Sequence, residues 1–265
     1  MKSPYDGRIF RLVNRAASLE DIRAEVEANH DNNRWWPLEI TDWRLRMLAA
    51  GWSTRVSYRM VSTYAGVITK ADETGFDALA DSSDDELTDL VRPIGLPTAR
   101  ITYLRSLAEL VARWEKEEID PAAEAADRDA LILSFASEVN GASYKVAQCA
   151  VLYARGYHCG IIPVDSGMVT KLAPALGMTL PPSPIAHEHM RHVLENAVRA
   201  RPADFRALAD LHGHQVTIPE DADPTWWVHL VLIYFKRLYL NGPSPLLCRR
   251  RPVCSRVTGC SHTRH

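Results

Sequence analysis

The chain has 265 residues, with 31 lysines and arginines against 33 aspartates and glutamates, a formal net charge of −2 and an isoelectric point near 6.6. That balance excludes a broadly basic nucleic-acid coat but permits a local basic face, and 46% hydrophobic content suits one large or two modest soluble domains. With no uninterrupted apolar run of about 18 residues, no apolar signal core in MKSPYDGRIFRLVNRAAS, and five cysteines that do not form a secreted disulfide framework, a cytoplasmic protein is expected.

Helical periodicity dominates in chain order, and strand alternation is scarce. SLEDIRAEVEANH (18–30) reads as a charge-laced helix capped by Ser18. An apolar pattern then runs from Asp42 to Lys70 through Leu45, Leu48, Ala49, Val56, Met60 and Tyr64. Ser83 to Glu86 form a capping box ahead of Leu87, Leu90 and Val91. Gly95 and Pro97 end that helix and open the next, which carries Ile101, Leu104, Ala108 and Val111 on one face. Leu131 to Phe135 form a short apolar helix that stops at Asn140-Gly141. Pro181, Pro182 and Pro184 mark a break, and Trp226 to Leu240 is apolar nearly all round, as a central buried helix should be. The fold class is all-α. Charge is uneven along it: residues 72–89 carry eight acids and no base, while 248–265 carry Arg249, Arg250, Arg251, Arg256 and Arg264 with no acid. A solvated acidic face and a disordered basic tail are the ordinary reading of such runs, although the second could touch phosphate.

NGASYKVAQC (140–149) raises a chemical question. Gly141 and Ser143 form a turn, Tyr144 starts a helix, and Ala147, Ala150, Val151 and Ala154 fall on one face. Lys145 therefore sits in the first turn, at the positive end, where a cation is least welcome. Either its stem snorkels to water or its amine is wanted for chemistry. In PVDSGMV (163–169), Asp165 precedes a helical run of Met168, Val169 and Leu172. An N-cap aspartate is common, yet a carboxylate at a helix start near an amine also suits glycosidic chemistry, where it stabilises oxocarbenium-like charge.

Taken together, VRPIGLPTARITYLRSLAEL (91–110), the stretch from Asn140 to Gly177 and HLVLIYFKRLYL (229–240) resemble, in order, the helix-hairpin-helix DNA glycosylases of the endonuclease III and 8-oxoguanine glycosylase superfamily. The ordered co-occurrence is the specific part, since each piece alone is weak. The resemblance implies a two-lobed fold: residues 42–157 as a six-helix-type lobe with the hairpin, and residues 1–41 with 158–265 as a second helical lobe bearing the basic cysteine-containing tail. A cleft between the lobes would hold Lys145 and Asp165. It implies Lys145 as the Schiff-base nucleophile and Asp165 as the motif aspartate. Asn140, Gly141 and Ser143 would bind a DNA phosphate, and Trp52 would fill the vacated base stack. For Trp52, burial in the core is an equal alternative.

Two departures from the family pattern matter. Ser143 stands where the second hairpin glycine would be and would need an unusual backbone angle if that geometry is retained. Cys248, Cys254 and Cys260 fall short of the four thiolates of an iron–sulfur cluster, and Asn241 stands where the first would be, so no cluster or other cofactor is expected. His187, His189 and His192, and His212 with His214, read as surface histidines rather than a metal site. Trp35 and Trp36 could stack on bases, while Trp226 and Trp227 read as buried anchors. The expected activity is base excision from damaged double-stranded DNA, with AP-lyase chemistry through Lys145. The alternatives are a monofunctional glycosylase using Asp165, or a non-catalytic DNA-structure-binding protein. The protein is expected to be monomeric, off the membrane and nucleoid-associated.

Overall fold

The computed structural model describes residues 3–33, 35 and 39–241. Trp36, Cys248, Cys254, Cys260 and the arginines of the basic tail lie outside the described residues. Among those described there is no strand.

Helix α1 spans Asp6–Ala17 and α2 spans Glu20–His30. Ser18 is the terminator of α1, its hydroxyl donating to the Arg15 carbonyl at 2.8 Å, and Leu19 occupies the N-cap of α2 without a side-chain cap. The predicted Ser18 cap is thereby corrected. The reason is that the amphipathic run with Ile9, Leu12, Val13, Ala16 and Ala17 buried forms a helix of its own, and Ser18 closes it.

The apolar pattern from Asp42 to Lys70 resolves into two helices. Helix α3 spans Trp43–Trp52, capped by Asp42, whose carboxylate accepts the Arg44 N–H at 2.8 Å. Helix α4 spans Val61–Thr74. The chain turns between them, with Arg55 at φ +58° and a 3₁₀ turn over Tyr58–Met60. Helix α5 covers Phe76–Asp81 and α6 covers Asp84–Val91, the latter opened by the predicted box: Glu86 N–H donates to the Ser83 hydroxyl, and Ser83 N–H to the Glu86 carboxylate at 2.8 Å. Helix α7, Pro97–Lys116, follows, then α8, Arg128–Glu138, and α9, Tyr144–Arg155. A π-helical turn, Met168–Leu172, runs into the short α10, Ala173–Ala175. Helices α11, Ile185–Arg199, and α12, Pro202–Leu211, lead to α13, Thr225–Phe235, which continues as a second π-helical turn over Lys236–Leu240.

The chain divides into two units: Met1–Asp31 with Gly160–His265, and Asn32–Cys159. In the first, α13 packs against α2 and α1, and Trp227, Val231 and Leu232 join Ile9, Val13, Ile22 and Val26 in a dry core. In the second, α3 lies along α9, with α8 on α9 and α7 on α3. Helix α9 is buried all round from Val146 to Ala154, not on one face alone, because α3 and α8 cover it from separate sides. Burying each leucine- or valine-sized side chain in such a core contributes about 1.5–3 kcal/mol.

Candidate functional site

The hairpin before α9 is built by backbone constraint. Val139 ends α8, Ala142 N–H returns to the Val139 carbonyl at 3.0 Å, and Gly141 takes φ +81°. No atom lies within 4 Å of a Cβ added at Gly141, so the left-handed angle, not crowding, is what asks for glycine. Asn140 N–H donates to the buried Ser106 hydroxyl at 2.9 Å and ties the turn to α7. Ser143 lies at φ −87°, ψ 167° and caps α9, its hydroxyl accepting the Val146 N–H at 3.4 Å. The unusual angle expected at Ser143 is therefore absent: Gly141 makes the left-handed turn, and the serine occupies ordinary extended backbone suited to an N-cap. Asn140, Gly141 and Ser143 are exposed, beside a helix start whose first N–H groups and positive end suit an anion.

Lys145, in the first turn of α9, is half-buried, and among the described residues its ammonium has no hydrogen-bond or ion-pair partner.

Asp165 is held quite differently. Ile161, Ile162 and Val164 are buried in an extended segment whose Ile162 N–H donates to the Glu195 carboxylate at 3.1 Å. Glu195 is itself paired at 3.2 Å with the fully buried Arg191, which also pairs with Glu188. At the end of this segment Asp165 Oδ1 accepts the Met168 N–H at 2.7 Å, the cap expected from the sequence. Its Oδ2 accepts from the Lys236 ammonium, and Lys236 is buried. Sequence reading missed Lys236. A lone lysine inside WWVHLVLIYFKRLYL was the available signal, since a cation in an otherwise apolar helix calls for a partner.

Trp52 requires a correction. Its indole is fully buried, and Nε1 donates to the Arg100 carbonyl at 3.1 Å, so it offers no face to a DNA stack. The cause is α3 itself, buried from Met47 through Trp52, with the Arg100 guanidinium clamping the Trp52, Thr54, Ile94 and Gly95 carbonyls. Burial lowers the pKa of that guanidinium from its usual value.

Exposed apolar groups occur instead at two nearby turns of the same unit. Leu96 sits at φ 57°, ψ 47° with 44% of its surface exposed, an uncommon conformation for leucine that costs about 1–2 kcal/mol. Tyr58 is 45% exposed, its ring edge-on to Trp35 at 5.9 Å. Trp35 is half-buried, and its Nε1 lacks a partner among the described residues.

Of the histidines read as surface groups, His189 is exposed but His214 is buried. It contacts the Ala17 carbonyl through Nε2 at 2.9 Å and accepts the Trp227 indole N–H on Nδ1 at 3.2 Å. Trp226 and Trp227 are the buried anchors expected.

With this geometry in view, the chain is similar to the crystal structure of H. pylori 3-methyladenine DNA glycosylase (MagIII) bound to 1,N6-ethenoadenine. The TM-score is 0.52 at 16% identity, covering 83% of this chain and 97% of that one. The fold is shared. It is all-α among the described residues, as expected from the sequence. No family model matches the chain, and no curated protein matches it.

Proposed function

We propose that the protein is a DNA N-glycosylase that removes a modified base from duplex DNA. The observation that carries the reading is the hairpin: Gly141 in the left-handed turn, the exposed Ser143 capping α9, and Lys145 in the first turn of that helix. Such a start grips a phosphate through backbone donors and helix polarity. Asp165, held as a capped and ion-paired carboxylate, supplies negative charge for an oxocarbenium-like transition state. Extrusion of the base leaves a gap in the stack, and the exposed Leu96 and Tyr58 take over the wedge role first assigned to Trp52. An alkylated purine is the first substrate to try, because the structurally similar protein is a 3-methyladenine glycosylase bound to 1,N6-ethenoadenine.

The finer reading is a bifunctional enzyme in which the Lys145 amine forms a Schiff base with the sugar and cleaves the strand. A second reading has a specific observation in its favour. Lys145 is half-buried and pairs with no carboxylate among the described residues, as a phosphate-contacting lysine of a monofunctional glycosylase would be. Incubation with duplexes bearing alkylated, deaminated, oxidised or methylated bases, with and without borohydride, decides among these. Base release with a trapped covalent complex supports the bifunctional enzyme, and release without one supports the monofunctional enzyme. Lesion-duplex binding with no release on any substrate leaves a DNA-structure-binding protein.

A further inference from the structure

The grip on Asp165 contains more than a cap. The Lys236 ammonium is buried and donates to Oδ2, while the Met168 N–H fixes Oδ1 at 2.7 Å. Two donors on two oxygens set both the rotation and the charge of the carboxylate. The neighbouring glycine is part of the same device. A Cβ at Gly167 would stand 2.9 Å from Lys236 Cδ, 3.2 Å from its Nζ and 3.3 Å from Asp165 Oδ1, so a side chain here would push the lysine stem out of its present position. Both segments also leave α geometry here: the π-helical turns Met168–Leu172 and Lys236–Leu240 begin at or beside these residues and pack against each other. Such turns insert one residue per turn and re-aim side chains, and they recur at functional sites.

We infer that Lys236 is the positioning residue of Asp165, holding it as an ionised, oriented carboxylate, and that Gly167 exists to let it through. The activity arm of this inference rests on the glycosylase reading. In that chemistry the carboxylate faces a sugar carbon gaining positive charge, and a carboxylate that protonates or rotates away loses its effect.

The test compares Lys236→Met, Lys236→Arg, Gly167→Ala, Asp165→Asn and Lys236→Met/Asp165→Asn in the full chain. Melting curves report folding, and single-turnover base release from an alkylated duplex is followed against pH. Lys236→Met should bind the duplex normally and release base slower by on the order of 100-fold, the usual cost of a displaced reacting group. The acid limb of its rate–pH profile should move to higher pH. Lys236→Arg should recover most of the rate, and Gly167→Ala should fall between. The double variant should be no slower than Asp165→Asn, because a residue acting through another is non-additive with it.

A Lys236→Met protein with a lower melting point but unchanged release rate and pH profile would show a fold staple only and overturn the inference. So would a borohydride-trapped complex that survives Lys145→Gln but is lost in Lys236→Arg, since Lys236 would then be the nucleophile. If Lys236→Met does not fold, Gly167→Ala carries the same pH comparison, with Lys236→Arg as the charge-retaining control. If wild type releases no base from any duplex, the glycosylase reading fails on its own, and the pair is still decided by carbon NMR of the Asp165 carboxyl. That resonance should titrate at higher pH in Lys236→Met, or in Gly167→Ala where Lys236→Met does not fold, and an unmoved titration would overturn the inference.

Discussion

The hairpin at 139–145 and the segment at 161–168 each bring a polar side chain to a helix start, but they hold it by opposite means. Lys145 sits in the first turn of α9, half-open, and the contacts that fix the turn before it, at Asn140 and Ser143, do not hold its own side chain. Asp165 sits beyond a buried extended segment anchored through Glu195 and Arg191, with each of its carboxylate oxygens accepting a hydrogen bond. An open amine can reach a flexible ligand and adjust to it. A locked carboxylate can only meet charge that develops at a fixed point, which is what preorganised electrostatic stabilisation needs. The contrast separates an open amine from a locked carboxylate, and it can be broken experimentally at several levels.

The largest expected effect is at Lys145. Lys145→Gln should abolish strand cleavage and the borohydride-trapped complex while leaving lesion-duplex binding largely intact, because the backbone N–H groups at the start of α9 remain. Gel-shift affinity measured beside trapping yield checks both halves. Should trapping persist, the open amine is not the reactive one and the contrast inverts. Should binding collapse with trapping absent in wild type as well, Lys145 is purely a phosphate contact.

A smaller effect is expected at the tip of the turn before α7. Leu96 is exposed in a left-handed backbone, so its side chain adds little to the core. Leu96→Ala should therefore leave the melting temperature nearly unchanged while slowing base release from duplex by about tenfold, ~1.4 kcal/mol. Release from a single strand, where no gap needs filling, should not change. Equal slowing on both substrates would remove the wedge role.

The sequence carried the architecture well where a pattern is local. The Ser83–Glu86 box, Pro97 at the start of α7, the turn at Gly141 and the Asp165 cap are each written within a few residues, and each stands in the structure. What was not legible depends on distant partners. Trp52 and Arg100 are 48 positions apart, and Lys236 and Asp165 are 71 apart, so neither the burial of the indole nor the ion pair has a local signature. Leu96 was hidden for another reason: its meaning comes from a backbone angle that residue type does not announce.

The locked side of the contrast should respond to acid. Among the described residues, the histidines for which burial lowers the pKa are His30, His212 and His214, all in the unit that carries Asp165. His214 shows why. Nδ1 accepts the Trp227 N–H, so the ring must be neutral, and protonation would break that bond in a buried site. The sign follows from linkage. The unfolded chain takes up protons near pH 6.5, the ordinary value, while the folded one resists until lower pH. Stability should thus be full above about pH 6.5, fall as the pH drops below it, and level off beneath the folded pKa. Melting temperature followed from pH 7.5 to 5 checks this, and His214→Gln should flatten the slope. A wild-type melting curve indifferent to pH over that range would refute it.

The smallest effect is expected at Ser143, and it sharpens the contrast most finely. If the hairpin grips phosphate by backbone geometry, restoring glycine at 143 should gain nothing. The residue sits at φ −87°, where glycine's freedom is not used, and Gly141 already supplies the left-handed step. Ser143→Gly removes only the hydroxyl that accepts the Val146 N–H at 3.4 Å, a long bond. Replacing a serine N-cap by glycine costs only a few tenths of a kcal/mol, so the melting temperature should dip slightly and duplex affinity should stay within about twofold. Gly141→Ala is the matched control. At φ +81° alanine pays about 1–2 kcal/mol for the left-handed angle, and either the turn or its grip should weaken visibly. A large rise in affinity for Ser143→Gly would mean that the bound hairpin adopts a different backbone, with position 143 in the left-handed region after all.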